Sequence, residues 1–83
     1  MPQIARTPKQ IGEVVRRRRQ KAGQTQAEVG KNAGLRQATI SQIENGHKAA
    51  QIESVCRVLA ALGLELVVTD RSQGSPQDIE SMF

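Results

Sequence analysis

The stretch Thr25-Gln26-Ala27-Glu28-Val29-Gly30-Lys31-Asn32-Ala33-Gly34-Leu35-Arg36-Gln37-Ala38-Thr39-Ile40-Ser41-Gln42-Ile43-Glu44-Asn45-Gly46 decides the fold. Thr25 and Glu28 have the spacing of a capping box, in which a threonine side chain and a glutamate three residues later satisfy each other's backbone N–H groups at a helix start. Val29, Gly30 and Ala33 then share one face, and Gly34 stops that helix after about two turns. A further helix is predicted to start near Arg36 or Gln37, with Leu35 and Ile40 as a hydrophobic staple. Its inner face is Ile40 and Ile43, and Gly46 ends it. The sequence therefore predicts two short capped helices joined through a glycine. Ala27, Gly30 and Ala33 leave room for them to cross closely. Gly30 is unfavourable inside a helix by about 1 kcal/mol against alanine, so close approach of a neighbour is the expected reason for it.

Outward from this stretch, Thr7-Pro8-Lys9-Gln10 reads as another helix start: a capping threonine, proline at the first helical position and Gln10 to complete a capping box. Ile11, Val14, Val15, Arg18/Arg19 and Ala22 follow at helical spacing, and Gly23 stops the helix. Ile52, Val55, Cys56, Leu59 and Leu62 mark a fourth helix, poorly capped at its start, with Gly63 at its end. Leu64-Glu65-Leu66-Val67-Val68-Thr69 is rich in β-branched residues and too short for a stable helix, and is predicted as a strand. One strand cannot satisfy its own edges. Its natural partner is the same strand of a second copy, antiparallel across a two-fold axis, through Leu64, Leu66, Val67 and Val68. The alternative is an extended tail packed on the fourth helix. The expected organisation is an arm over 1–6, a helical domain over 7–63, a dimerisation strand over 64–70 and a Ser/Gln/Gly/Pro-rich, flexible tail over 71–83.

The chain of 83 residues is one small domain, a size at which a core is marginal and dimerisation a common remedy. Residues 1–48 carry a net charge of +7 and residues 49–83 a net of −3, so the first half is expected to face a polyanion. A single cysteine, Cys56, excludes a disulfide framework, and with one histidine, His47, it cannot make a four-ligand zinc site. Cys56 is expected to be a small core residue and His47 a surface one. No apolar run is long enough to span a membrane and no leader is evident, which implies a cytoplasmic protein. Nothing resembles a metal cluster, a nucleophile–base pair or a phosphate-cradling glycine loop, so no enzymatic activity and no cofactor are expected. Single-strand binding uses aromatic stacking platforms, and Phe83 is the only aromatic residue.

Two short capped helices joined through Gly34 have the spacing of a helix-turn-helix, in which the second helix offers its N-terminal residues to the DNA major groove. Thr25-Gln26-Ala27-Glu28, Gly34-Leu35-Arg36-Gln37-Ala38-Thr39-Ile40-Ser41 and Ile43-Glu44-Asn45-Gly46 occur in the order of the lambda-repressor/Cro-like (XRE) helix-turn-helix family, which the chain resembles over roughly residues 8–63. Within it, the run Gln37-Ala38-Thr39-Ile40-Ser41, the Thr7-Pro8 helix start and the strand after the fourth helix resemble the HipB-type antitoxins, partners of HipA-type kinase toxins.

That resemblance implies a mainly α fold of four or five helices with one C-terminal strand shared across a homodimer. It implies a sequence-specific repressor of double-stranded DNA that neutralises a HipA-like kinase toxin and autoregulates their operon. Gln26 would hold a phosphate. Gln37, Ala38, Ser41 and Gln42 would approach base edges, with Thr39 either touching a thymine methyl or lying on the helix surface. Arg36 would read a guanine or hold a phosphate, and Asn45 and Lys48 would contact phosphates. Of the four successive arginines at 16–19, which point in four directions on a helix, Arg19 would turn inward and pair with Glu44. The C-terminal Phe83 is a candidate anchor on the toxin. Other readings of the same residues are a stand-alone regulator without a toxin, or a module used mainly for protein interaction.

Overall fold

The computed structural model describes residues 3–71. Four helices follow in order: α1 (Pro8–Lys21), α2 (Gln26–Ala33), α3 (Gln37–Glu44) and α4 (Ile52–Ala61). The molecule is mainly α, as expected. Phe83 and the tail beyond Arg71 lie outside the described residues.

Local chemistry accounts for the helix ends. Thr7 caps α1 by accepting a hydrogen bond from the Gln10 N–H at 3.1 Å, and Pro8 supplies a pre-set φ where no N–H is needed. The Gln10 side chain reaches one residue further back than a capping box requires and accepts from the Arg6 N–H at 2.6 Å. At α2 the box is complete: Glu28 N–H donates to Thr25 Oγ1 at 3.1 Å, and Thr25 N–H donates to Glu28 Oε1 at 2.8 Å. Gly34 ends α2 with φ +73°, a left-handed backbone that side chains resist. Leu35 N–H then donates to the Gly30 carbonyl at 2.7 Å, closing the turn. Neither α3 nor α4 has a side-chain cap, and Arg36 and Gln51 occupy those positions.

The core is the set of inward faces of all four helices. Val15, Val29, Ile40 and Val58 are fully buried, and Ile43, Val55, Leu59 and Leu62 nearly so. On α4 two expectations fail. Cys56 is exposed and Ile52 is 68% exposed, whereas Val58, which the sequence pattern did not single out, is fully buried. Successive helical residues turn about 100°. Val55, Val58, Leu59 and Leu62 form the stripe, and Cys56 lies beyond Val55 on the side away from Val58. Residues 64–71 form no regular secondary structure within the chain. A lone extended segment has no ladder to join, so the expected strand is not formed by one copy.

Two glycines set how closely the helices meet. A Cβ on Gly30 would sit 2.8 Å from the Leu35 carbonyl oxygen, so the close neighbour is the turn entering α3. A Cβ on Gly12, in mid α1, would collide with the Ile43 carbonyl oxygen and come within 2.5 Å of that of Glu44. Here α1 crosses the C-terminal end of α3, and backbone atoms in a helix cannot step aside. Gly12→Ala should gain about 1 kcal/mol of helix propensity and lose more than that to overpacking, leaving a net destabilisation of about 1–3 kcal/mol. Urea unfolding monitored by helicity measures it, and an unchanged or raised midpoint would show that the crossing tolerates a methyl group.

Candidate nucleic-acid interface

With Ile40, Ile43 and Glu44 buried, the opposite side of α3 is left outward. Ala38 and Gln42 are exposed on it and Ser41 is half-buried. Arg36 and Gln37 are exposed at its N-terminal end, Thr39 is half-buried on its flank, and Asn45 and Lys48 are exposed beyond its C-terminal end. The side chain of Asn45 donates to Ser41 Oγ at 3.4 Å, one helical turn back. These side chains are short or neutral, apart from the cations Arg36 and Lys48 that flank the helix. Such a surface can approach base edges without meeting a fixed negative charge.

Behind that surface runs a polar network linking α1, α2 and α3. Arg19 Nε donates to Glu44 Oε2 at 2.6 Å and Arg19 Nη2 to Glu44 Oε1 at 3.1 Å, a two-pronged pair. The side chains are 14% and 3% exposed. The third guanidinium nitrogen, Nη1, donates to the Gln24 carbonyl at 2.9 Å. These bonds to Glu44 raise the Arg19 pKa above its ordinary value, against the opposing effect of burial. A raised pKa on a cation stabilises the fold at every pH below the ordinary arginine value, so this contribution persists across the physiological range.

Glu44 also accepts from Gln26 Nε2 at 3.1 Å, and Gln26 Oε1 accepts from Gln37 Nε2 at 3.2 Å. Gln26, at the first position of α2, thus lies between the buried carboxylate and the first residue of α3. The sequence carries no trace of this linkage: Gln26 and Gln37 are eleven residues apart and no periodicity joins them. The amide of Gln37 keeps a second hydrogen on Nε2, with Oε1 as an acceptor. Both are what the N7 and N6 positions of adenine require. Its bond to Gln26 therefore orients this amide without using up its capacity to read a base.

The other arginines of the run lie on the surface. Arg16, Arg17 and Arg18 are exposed, and Arg17 approaches Glu13 at 3.9 Å one turn away. His47 is exposed, and its Nδ1 accepts from the Ala49 N–H at 3.1 Å in the loop before α4. Among the described residues no group of His, Cys, Asp or Glu side chains could hold a metal ion, and no helix is long and apolar enough to cross a membrane.

Comparison with known proteins matches residues 10–72 to the family described as "Helix-turn-helix domain". The antitoxin HipB of Escherichia coli (strain K12) is 32% identical over 74 residues, covering 89% of this chain and 84% of that protein. HipB of E. coli O6:H1 is likewise 32% identical over 74 residues. Among solved structures, a HipB-O4 20mer complex superimposes with a TM-score of 0.79 at 31% identity, covering 86% of this chain and all of the matched one. A HipA-HipB-O2-O3 complex gives the same TM-score, identity and coverage. The helix order, the braced α2–α3 pair and this similarity along most of both chains agree: the chain belongs to the HipB family of helix-turn-helix antitoxins.

Proposed function

We propose that this chain is a dimeric, sequence-specific DNA-binding antitoxin that represses its own operon and neutralises a HipA-like kinase toxin, acting in the cytoplasm as a binding protein rather than an enzyme. The observation that carries the DNA-binding part is the geometry of Gln26 and Gln37. Glu44, held by Arg19 in a partly buried ion pair, fixes Gln26, and Gln26 orients an amide at the entrance of α3. The toxin-binding part rests on family membership and on the HipA-HipB complex among the structural neighbours.

In this reading α3 enters the major groove N-terminal end first. Gln37 reads adenine, Ala38 and the Thr39 methyl face thymine methyl groups, and Ser41 and Gln42 approach neighbouring base edges. Arg36 reads guanine at the groove edge. Gln26 offers a phosphate its second amide hydrogen and the unsatisfied N–H groups at the start of α2. Asn45 and Lys48 clamp the backbone on the far side. Residues 64–70 pair with the same segment of a second copy, with Leu64, Leu66, Val67 and Val68 supplying the apolar contacts. Two copies would set their α3 helices about 34 Å apart, one turn of DNA. The 20mer in the HipB complex has room for two half-sites at that spacing.

Gln37→Ala and Arg36→Ala, titrated against the chain's own upstream DNA and against random DNA, test the assignments. Each should lose about 1–3 kcal/mol on the operator and relax the preference at one base position, with little change on random DNA. An equal loss on both DNAs would reassign the residue to phosphate.

A further inference from the structure

A groove of about 1270 Å³ runs along the side of the molecule. One wall is the arm over 3–6, the other is the segment 63–71, and Ile11, Val14 and Arg18 of α1 with Leu59 of α4 line the rest. No residue of α2 or α3 borders it, so it can be filled while α3 engages DNA. Among the described residues the exposed large apolar side chains are Ile4, Ile52, Leu66, Val67 and Val68, and all but Ile52 surround this groove. Ile4 is 67% exposed and Val68 99%. Small proteins rarely leave such side chains grouped on the surface without a partner.

The arm is held beside the groove by the start of α1. Arg6 N–H donates to Gln10 Oε1 while Thr7 caps the helix, which fixes the direction in which residues 3–5 leave. Ile4 therefore faces the groove across from the segment that the proposed function pairs with a second copy. The charged side chains around the groove have both signs, Arg6, Arg18 and Arg71 against Glu65 and Asp70. A patch that carries both signs can meet a copy of itself without like-charge repulsion.

We infer that the N-terminal arm is the second element of the dimer interface: Ile4 of each copy packs on the 64–70 segment of the other, across the groove floored by Val14 and Leu59. This rests on the proposed pairing of 64–70 and extends it to a part of the chain with no assigned role. It also gives the capping at Thr7 and Gln10 a purpose beyond starting α1, because the same bonds aim the arm.

Sedimentation equilibrium of the full chain tests it with three variants. Ile4→Ala is expected to raise the dimer dissociation constant at least tenfold, since two copies of the contact are lost. Ile4→Leu should stay within about threefold of the parent chain. Val68→Asp, which disrupts the segment pairing directly, should be monomeric. Helicity should be unchanged in all three, because Ile4 and Val68 lie outside the core. If Val68→Asp dissociates while Ile4→Ala dimerises like the parent, the arm has no part in the interface and the inference falls, with the pairing of 64–70 intact. If the parent chain is itself monomeric, the pairing and the inference fall together.

Discussion

Replacing Glu44 by alanine is expected to destabilise the fold by about 3–5 kcal/mol, because it leaves the inward-turned Arg19 guanidinium without its counter-charge. Small domains have about 5–15 kcal/mol in total, so the variant should be largely unfolded at moderate urea concentrations. The loss is larger than for a surface pair because the Glu44 side chain is 3% exposed and accepts three hydrogen bonds, two from Arg19 and one from Gln26. Arg17–Glu13 and Arg57–Glu53 are exposed pairs one helical turn apart, and their removal should cost no more than about 0.5 kcal/mol each. The control is to remove both charges together. Arg19→Met with Glu44→Leu should recover most of the stability, since apolar replacement of a buried pair is often neutral or better. That double variant should nevertheless bind operator DNA less selectively, because Gln26 has lost its anchor and no longer holds the Gln37 amide. Urea unfolding followed by DNA titration separates the two effects. A Glu44→Ala midpoint close to that of the parent chain would show that the pair does not brace the domain.

Val68→Asp should cost DNA binding more than any single change on α3. Two linked half-site modules gain about 10²–10⁴-fold over one, and a charge placed within the shared segment removes that link. Val68 makes no contribution to the core, so the monomer should keep its helices while losing operator affinity by about that factor. Fluorescence anisotropy with an operator duplex, at a salt concentration held constant, reads the change. A variant that binds with parental affinity as a single chain would mean that one copy suffices for recognition.

The helical part of the fold was legible because each boundary is written in local chemistry. Thr25 with Glu28, Pro8 after Thr7, and Gly34 act within a few residues of their own position. The inward turn of Arg19 toward Glu44 followed from resemblance rather than from spacing. What the sequence hid is of two kinds. Gly12 sits in α1 as an apparent weakness of the helix, and its reason is a backbone contact with α3, more than thirty residues away. A glycine inside an otherwise helical pattern was the available signal. Cys56 reads as a core residue and Val58 goes unmarked because a stripe broad enough to include Ile52 also admits Cys56, and only packing fixes its centre. The residues proposed to read DNA were legible as a motif, whereas the bonds from Glu44 through Gln26 to Gln37 join three side chains from three parts of the chain and leave no periodic trace.

The most direct measurement is binding of the purified chain to its own upstream DNA, with random DNA as the reference, over a range of salt. Sequence-specific dimeric recognition predicts a preference of about 10³-fold or more for the upstream site, two chains per site, and an affinity that falls as salt rises. Weak binding with equal affinity for both DNAs would contradict it, and would leave toxin binding as the role that this helix-turn-helix serves.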